Sequence, residues 1–296
     1  MIFSKWIRFT KQAGRARIGL HLSPQKILAV KVEGDEPEFE QRSVPSADKL
    51  IATVSQLFSD TGWRGRVQVA LSAELYQQFQ MEKPKIPEEE VSAALGWNIR
   101  DLVKEPVTEL VVDYYDLLQH AVSAPKVNLV CTRRSLVQEL GEAIAEADCY
   151  LQGVTTWELA LADLITEPEP VQVLLFQPAG AEPLLLAVHQ HQLCFSRQLR
   201  GFSELANAPL GTLEPFIFDN FSLELQRSFD FIVSQLKLPE TGKIYVASAA
   251  PDLGALVKKL HDVFDLPVTL LVNKAITTGV EYLPAFAALT EAEGAG

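Results

Sequence analysis

KIPEEEVSAALGWNIRDLVKEPVTELVVDYYDLL, residues 85–118, reads as one complete helix, turn and strand, and the rest of the chain can be ordered around it. Pro87 followed by Glu88, Glu89 and Glu90 suits a helix start, where unpaired N–H groups and the positive end of the dipole favour proline and acid. Val91, Ala94, Leu95, Ile99, Leu102 and Val103 recur at three- and four-residue spacing, which predicts a single buried face running on to a stop at Pro106. The opposite face carries Glu89, Ala93, Gly96, Trp97 and Arg100, so an indole stands among small and charged residues. Such a face either docks a partner or is covered by a neighbouring subdomain of the same chain.

Upstream the pattern is β-rich. RIGLHL, KILAVKV and EFEQRSV, separated by polar turns, predict a three-stranded meander from Arg17. A helix over Ala47–Asp60, with Leu50, Ile51, Val54, Leu57 and Phe58 in helical register, leads to the strand RVQVALS. Beyond residue 118 come a strand KVNLVCT, a helix from about Ser135 to Asp148, a short strand LQGVTT and a helix from Trp157 to Ile165. TEPEP, residues 166–170, reads as a linker. VQVLLF, PLLLAVHQ and LCFSRQL then repeat the strand, loop, strand, turn, strand order of the opening, which marks a duplicated unit. A long helix, Phe218–Leu238, with Phe221, Leu225, Phe229, Ile232 and Leu236 as its stripe, is followed by KIYVASA, a helix over Asp252–Phe264 and PVTLLV.

The expected fold class is therefore α/β, with two duplicated halves facing each other across a cleft. The expected domains are a basic segment 1–16, a first lobe 17–166 with a module inserted at about 72–133, a second lobe 167–290 and a disordered tail 291–296. The net charge of −12 argues against a surface that tracks nucleic-acid phosphates. No apolar run is long enough to span a membrane and no export signal is evident, so a cytoplasmic location is expected. Met1–Arg17 departs from the acidic body: Lys5, Arg8, Lys11, Arg15 and Arg17 interleave with Phe3, Trp6, Ile7 and Phe9, without any acid. It reads either as a segment peripheral to an anionic membrane or as a frayed terminus.

Cys131, Cys149 and Cys194 are odd in number and widely spaced, so three reduced thiols are expected. His189 and His191 would share one strand face, but no third ligand accompanies them, and no metal is expected. Ser23, Ser196 and Ser228 lack the context of a nucleophile, so covalent catalysis is not expected.

IPEEEVSAALGWNIRDLV with VVDYYDL, the helix text LELQRSFDFI, and RIGLHLSPQKILAVKV at the start together resemble the PilM branch of the actin-like ATPase superfamily, which serves type IV pilus assembly, and within it the branch for mannose-sensitive haemagglutinin (MSHA) pili. In order, these motifs cover nearly the whole chain. The resemblance implies an actin-like (ASKHA/RNase H-like) fold with nucleotide held between two phosphate loops. Where the family's first loop reads roughly Gly-Ile-Asp-Ile-Gly, this chain has Gly19, Leu20, His21, Leu22 and Ser23. Where the second resembles Asp-Ile-Gly-Ala, it has Gln177, Pro178, Ala179 and Gly180. Both carboxylates that would serve Mg²⁺ are replaced. At the adenosine stretch only Gly254 is kept, with Ser248 among the residues that would crowd a base, while Glu224 and Arg227 match positions that face the adenosine. As an alternative, the last two form an exposed i, i+3 ion pair.

The resemblance thus implies a degenerate nucleotide site, no cofactor, and a non-catalytic scaffold at the cytoplasmic face of the inner membrane. Its partner would be the N-terminal cytoplasmic tail of a PilN-like inner-membrane protein, held as an extended peptide in a groove between the first core subdomain and the inserted module, with Trp97 and Arg100 as the module's contribution. A pilus assembly ATPase or platform protein are further candidate partners. The alternatives are an ATP-binding conformational switch of the same machine and a self-assembling filament.

Overall fold

The computed structural model describes residues 16–34, 36–118, 125–213, 216–272 and 277–290. The basic segment up to residue 15 and the tail from 291 lie outside them. The described residues form two compact units, 16–117 with 125–160 and 284–290 in one, and 161–283 in the other.

In the first unit β1 (Arg17–Leu22), β2 (Lys26–Val32), β3 (Pro37–Ser43), β4 (Arg66–Leu71) and β8 (Tyr150–Thr156) form a sheet of order β3-β2-β1-β4-β8. β1, β2 and β3 pair antiparallel, while β1, β4 and β8 run parallel, and β8 leads into the short α4 (Trp157–Ala162). Alternation along the strands puts Ile18, Leu20, Leu22, Val67, Val69 and Leu71 on one face. There they meet Val54, Leu57 and Phe58 of α1 (Leu50–Thr61), and Leu140 and Ile144 of α3 (Arg134–Glu146). α1 thus follows the period expected of it, and α3 falls on the span expected for a helix.

Between β4 and α3 the chain builds a module of β5 (Gln77–Glu82), α2 (Glu88–Asn98), β6 (Leu110–Asp116) and β7 (Lys126–Arg133). Its sheet has the order β5-β7-β6 and is antiparallel throughout. α2 lays Val91, Leu95 and Ile99 on Leu110, Val112, Val127 and Leu129. The helix stops at Asn98, not near Pro106, and Leu102, expected in its buried stripe, is 62% exposed. Gly96, Trp97 and Asn98 are all poorer helix formers than Ala93, Ala94 and Leu95 before them, and Ile99 completes the apolar contact as the helix unwinds.

The second unit repeats the scaffold. β9 (Val171–Gln177), β10 (Leu184–His189), β11 (Gln192–Gln198), β12 (Thr241–Ser248) and β13 (Val268–Leu270) take the order β11-β10-β9-β12-β13, with β9, β12 and β13 parallel. Its core joins Val171, Val173 and Leu175 to Phe221, Leu225, Phe229 and Ile232 of α5 (Ile217–Ser234) and to Leu256 and Leu260 of α6 (Leu253–Phe264). Gln190 and His191 have φ of 50° and 60° and form the β10–β11 turn, so His191 does not share a strand face with His189.

After Leu283 the chain belongs to the first unit, where α7 (Leu283–Ala287) packs on β1. A Cβ on Gly19 would stand 1.8 Å from the Ala285 carbonyl oxygen, so only glycine admits this helix. No described helix is long and apolar enough to cross a membrane.

Candidate functional site: the α2–β6 groove

The outer face of α2 carries small side chains at the positions that matter. Ser92, Ala93 and Gly96 leave a recess, with Glu89 toward the helix start and Trp97 toward its end. Val107, Thr108, Leu110, Val112 and Asp113 form the opposite wall, and Arg134 at the start of α3 completes it. The groove encloses about 440 Å³. Gly96 is part of its floor: a Cβ there would meet Val107 Cγ1 at 3.5 Å and Val112 Cγ2 at 3.6 Å, ordinary contacts, so a side chain fits only by filling the recess.

Each wall is held by a specific contact. Arg134 donates from Nε to the Thr108 carbonyl at 3.2 Å and from Nη2 to the Leu110 carbonyl at 2.8 Å, tying the turn before β6 to α3. At the other end Lys83 Nζ lies 3.0 Å from Asp116 and 3.2 Å from Glu88, and sits 5.1 Å from the centre of the Tyr114 ring. Tyr114 donates to Glu88, and burial with that carboxylate pushes the phenol up to about 12. This cluster fixes the N-terminus of α2 on the sheet. Buried Asp113 accepts from the Tyr114 N–H at 2.9 Å.

β6 is an edge strand, with β7 on one side and no strand on the other among the described residues. An apolar recess beside a free strand edge can take an extended peptide, with main-chain bonds along the edge and side chains in the recess. Trp97, 62% exposed, stands where it can cover such a segment. Arg100 lies outside the groove lining: it is exposed and 3.4 Å from Asp101.

The residues expected to hold nucleotide are engaged in contacts of their own. Gly19 makes room for α7. Both ring nitrogens of His21 are buried without a hydrogen-bond partner among the described residues, and the ring stacks on Trp157 at 5.8 Å and 6°. Burial lowers its pKa to about 4, so the ring is neutral at neutral pH. Next to Trp157, buried Glu158 accepts from Tyr76, and burial raises the pKa of both. Ser23 closes its own hairpin, donating to the Lys26 carbonyl at 2.9 Å and accepting the Lys26 N–H at 3.0 Å.

In the second unit Gln177 donates to the Ala181 carbonyl at 3.0 Å and to the Phe202 carbonyl at 2.9 Å. Gly180, at φ 72°, donates to Asn207 Oδ1 at 2.9 Å. Ser248, in register with Gln177, accepts the Ala250 N–H at 3.1 Å. Gly254 has open space where a Cβ would stand. Glu224 and Arg227 do pair, and Glu224 also accepts from Arg197 of β11 at 2.5 Å. Burial pushes Glu224 up, but Arg227 and Arg197 outweigh it and the net shift is down. The Arg197 partner was not legible, because nothing local links positions 27 residues apart.

Among the described residues no three His, Cys, Asp or Glu side chains gather closely enough to hold a metal ion. Cys131, Cys149 and Cys194 are free thiols.

No protein-family model and no curated protein matches this chain. Solved structures do. A chain of a PilM–PilN type IV pilus biogenesis complex aligns at TM-score 0.64 and 19% identity, over 93% of this chain and 96% of that one. The cytoplasmic domain of EpsL, an inner-membrane component of the type II secretion system of Vibrio cholerae, aligns at 0.50 and 14%, over 93% and 95%. A Bacteroides thetaiotaomicron protein of actin-like ATPase fold and unknown function aligns at 0.50 and 11%, over 94% and 96%. At such identities the likeness is one of fold: the chain has the actin-like ATPase fold.

Proposed function

We propose that this chain is a non-catalytic scaffold of a type IV pilus assembly machine, of the branch that serves MSHA pili and whose PilM counterpart is MshI. It holds the N-terminal cytoplasmic tail of a PilN-like inner-membrane protein in the α2–β6 groove. The observation that carries this reading is the coincidence of a 440 Å³ apolar recess with the edge of β6 that no other described strand pairs with. The tail adds along β6 as a further strand and seats apolar side chains over Gly96 beside Trp97. A net charge of −12 favours a basic tail. The fold shared with a chain of the PilM–PilN complex supports the same reading at a coarser level.

The chemistry of the two loop positions favours a scaffold over an ATP-driven switch. His21 and Gln177 are neutral and already packed or bonded, and hard divalent cations bind weakly without carboxylates. The basic residues up to Arg17 would rest on anionic headgroups and keep the chain peripheral to the cytoplasmic side of the inner membrane.

The test is to titrate a synthetic tail peptide of the PilN-like partner against the protein and two variants. Trp97→Ala should weaken binding by about tenfold or more, and Gly96→Leu, which fills the recess, should weaken it further while leaving the melting temperature unchanged or higher. Unchanged affinity in both variants overturns the site. Calorimetry with Mg–ATP is the companion measurement: micromolar binding would replace the scaffold with the switch.

A further inference from the structure

Behind the turn that leads into β6 lies a second, smaller cavity of about 100 Å³. Leu110 lines both it and the groove, so the two recesses share a wall. Their chemistry differs. The groove is walled mainly by apolar and small side chains, whereas Glu74, Glu105, Thr132 and Arg133 line the small cavity. Glu105 Oε2 is shut off from solvent and accepts no hydrogen bond among the described residues. Cys131 lies on the same wall: burial pushes its thiol up to about 11, a backbone contact at Gln77 works against the shift, and the nearby Glu105 charge adds to it. Thr132 does not serve the carboxylate, because its hydroxyl donates to the Leu75 carbonyl at 2.6 Å. Glu74 and Arg133 both stand exposed at the rim, which leaves half-buried Glu105 as the charge that faces inward.

A buried carboxylate oxygen without a partner is costly until a cation or donor completes it. We propose that the small cavity is a second subsite of the docking groove and takes the ammonium group of a lysine on the bound tail. This rests on the groove reading above. The stem of such a lysine crosses Leu110, apolar against apolar, while its head reaches Glu105 and Glu74. The small volume favours a compact ammonium over the wider planar fork of arginine.

The test uses a positional-scanning library of short synthetic peptides in which one position at a time is fixed as Lys, Arg, norleucine or Gln. Binding is read by fluorescence anisotropy against the full chain, Glu105→Gln, Glu74→Gln, and Glu146→Gln on the exposed side of α3 as a charge control. At one position, a set distance from the apolar one, lysine should be preferred over norleucine by about tenfold, an advantage that shrinks with rising salt. Glu105→Gln should remove the preference and keep the apolar selection, which reports that the groove is still folded. Glu74→Gln should reduce it, and remains as a second variant if Glu105→Gln does not fold; Glu146→Gln should leave it intact. Apolar selection without lysine selection, or a lysine preference equal in all variants, overturns the subsite and spares the groove. No selection at any position by the wild-type chain overturns both.

Discussion

The sheet β3-β2-β1-β4-β8 and the sheet β11-β10-β9-β12-β13 share strand order and direction, and each receives one helix before its fourth strand and one before its last. In the second unit β12 passes directly into α6, whereas in the first the chain leaves β4, builds β5, α2, β6 and β7, and only then forms α3. The candidate groove exists only where that excursion is made. The strand ends also differ. β1 ends with His21 on the face opposite Leu20 and Leu22, stacked on Trp157, while Gln177 falls by alternation on the same side as Val173 and Leu175 and reaches the Phe202 carbonyl. Duplication accounts for the scaffold, and the departures from it mark what each half has acquired.

The strongest way to break this comparison is at β1. Gly19→Val drives a side chain into the Ala285 carbonyl, so α7 must leave the first sheet; a loss of more than about 3 kcal/mol is expected in denaturant unfolding. Gly254→Ala in the second unit meets nothing and should be neutral or mildly stabilising. Equal effects at the two glycines would remove the close approach from the account.

A second contrast concerns pH. His21 has its pKa lowered from 6.5 to about 4 in the folded state, so the unfolded chain binds the extra proton between those values. Stability is therefore fully present above pH 6.5 and falls as pH drops toward 4, by up to about 3 kcal/mol. Glu158, raised by burial, works in the opposite sense: it favours the fold as pH falls through its raised value toward 4.5. Hydrogen exchange from pH 7 to 4.5 should show protection lost in β1, β4 and β8 and retained in β9 and β12. His21→Phe should flatten that slope; an unaltered slope would assign it to other groups.

The smallest expected effect sharpens the second unit. Gln177→Ala leaves the Ala181 and Phe202 carbonyls without this donor and should cost about 1–2 kcal/mol in thermal or denaturant unfolding. No change would mean that water replaces the amide and that the loop closure is incidental.

Much of this could be read beforehand. The helices α1, α3 and α5 and most strands of both sheets follow from periodicity, because an amphipathic stripe is a property of one segment. Two elements were harder to read. β5 has Phe79 and Met81 as its only apolar side chains among glutamines and acid, so its alternation is faint. α2 ends early because Gly96, Trp97 and Asn98 hold the helix weakly and Ile99 already completes its contact with the sheet, well before Pro106. At the site, Trp97, Ala93, Gly96 and Glu89 could be placed on one helix face, but Val107, Val112, Asp113 and Arg134 could not be placed opposite them.

Composition and order of residues determined the element types, the duplicated α/β plan and the unusual outer face of α2, since each is encoded over a few turns or a few alternations of the backbone. Tertiary structure alone decided that this face borders a recess beside an edge strand of the described sheet, that Arg100 lies outside it, and that His21 is neutral beneath Trp157. A cavity and a shifted pKa depend on which distant segments come to rest against a residue, and packing sets that, not the residue's own neighbours in the chain.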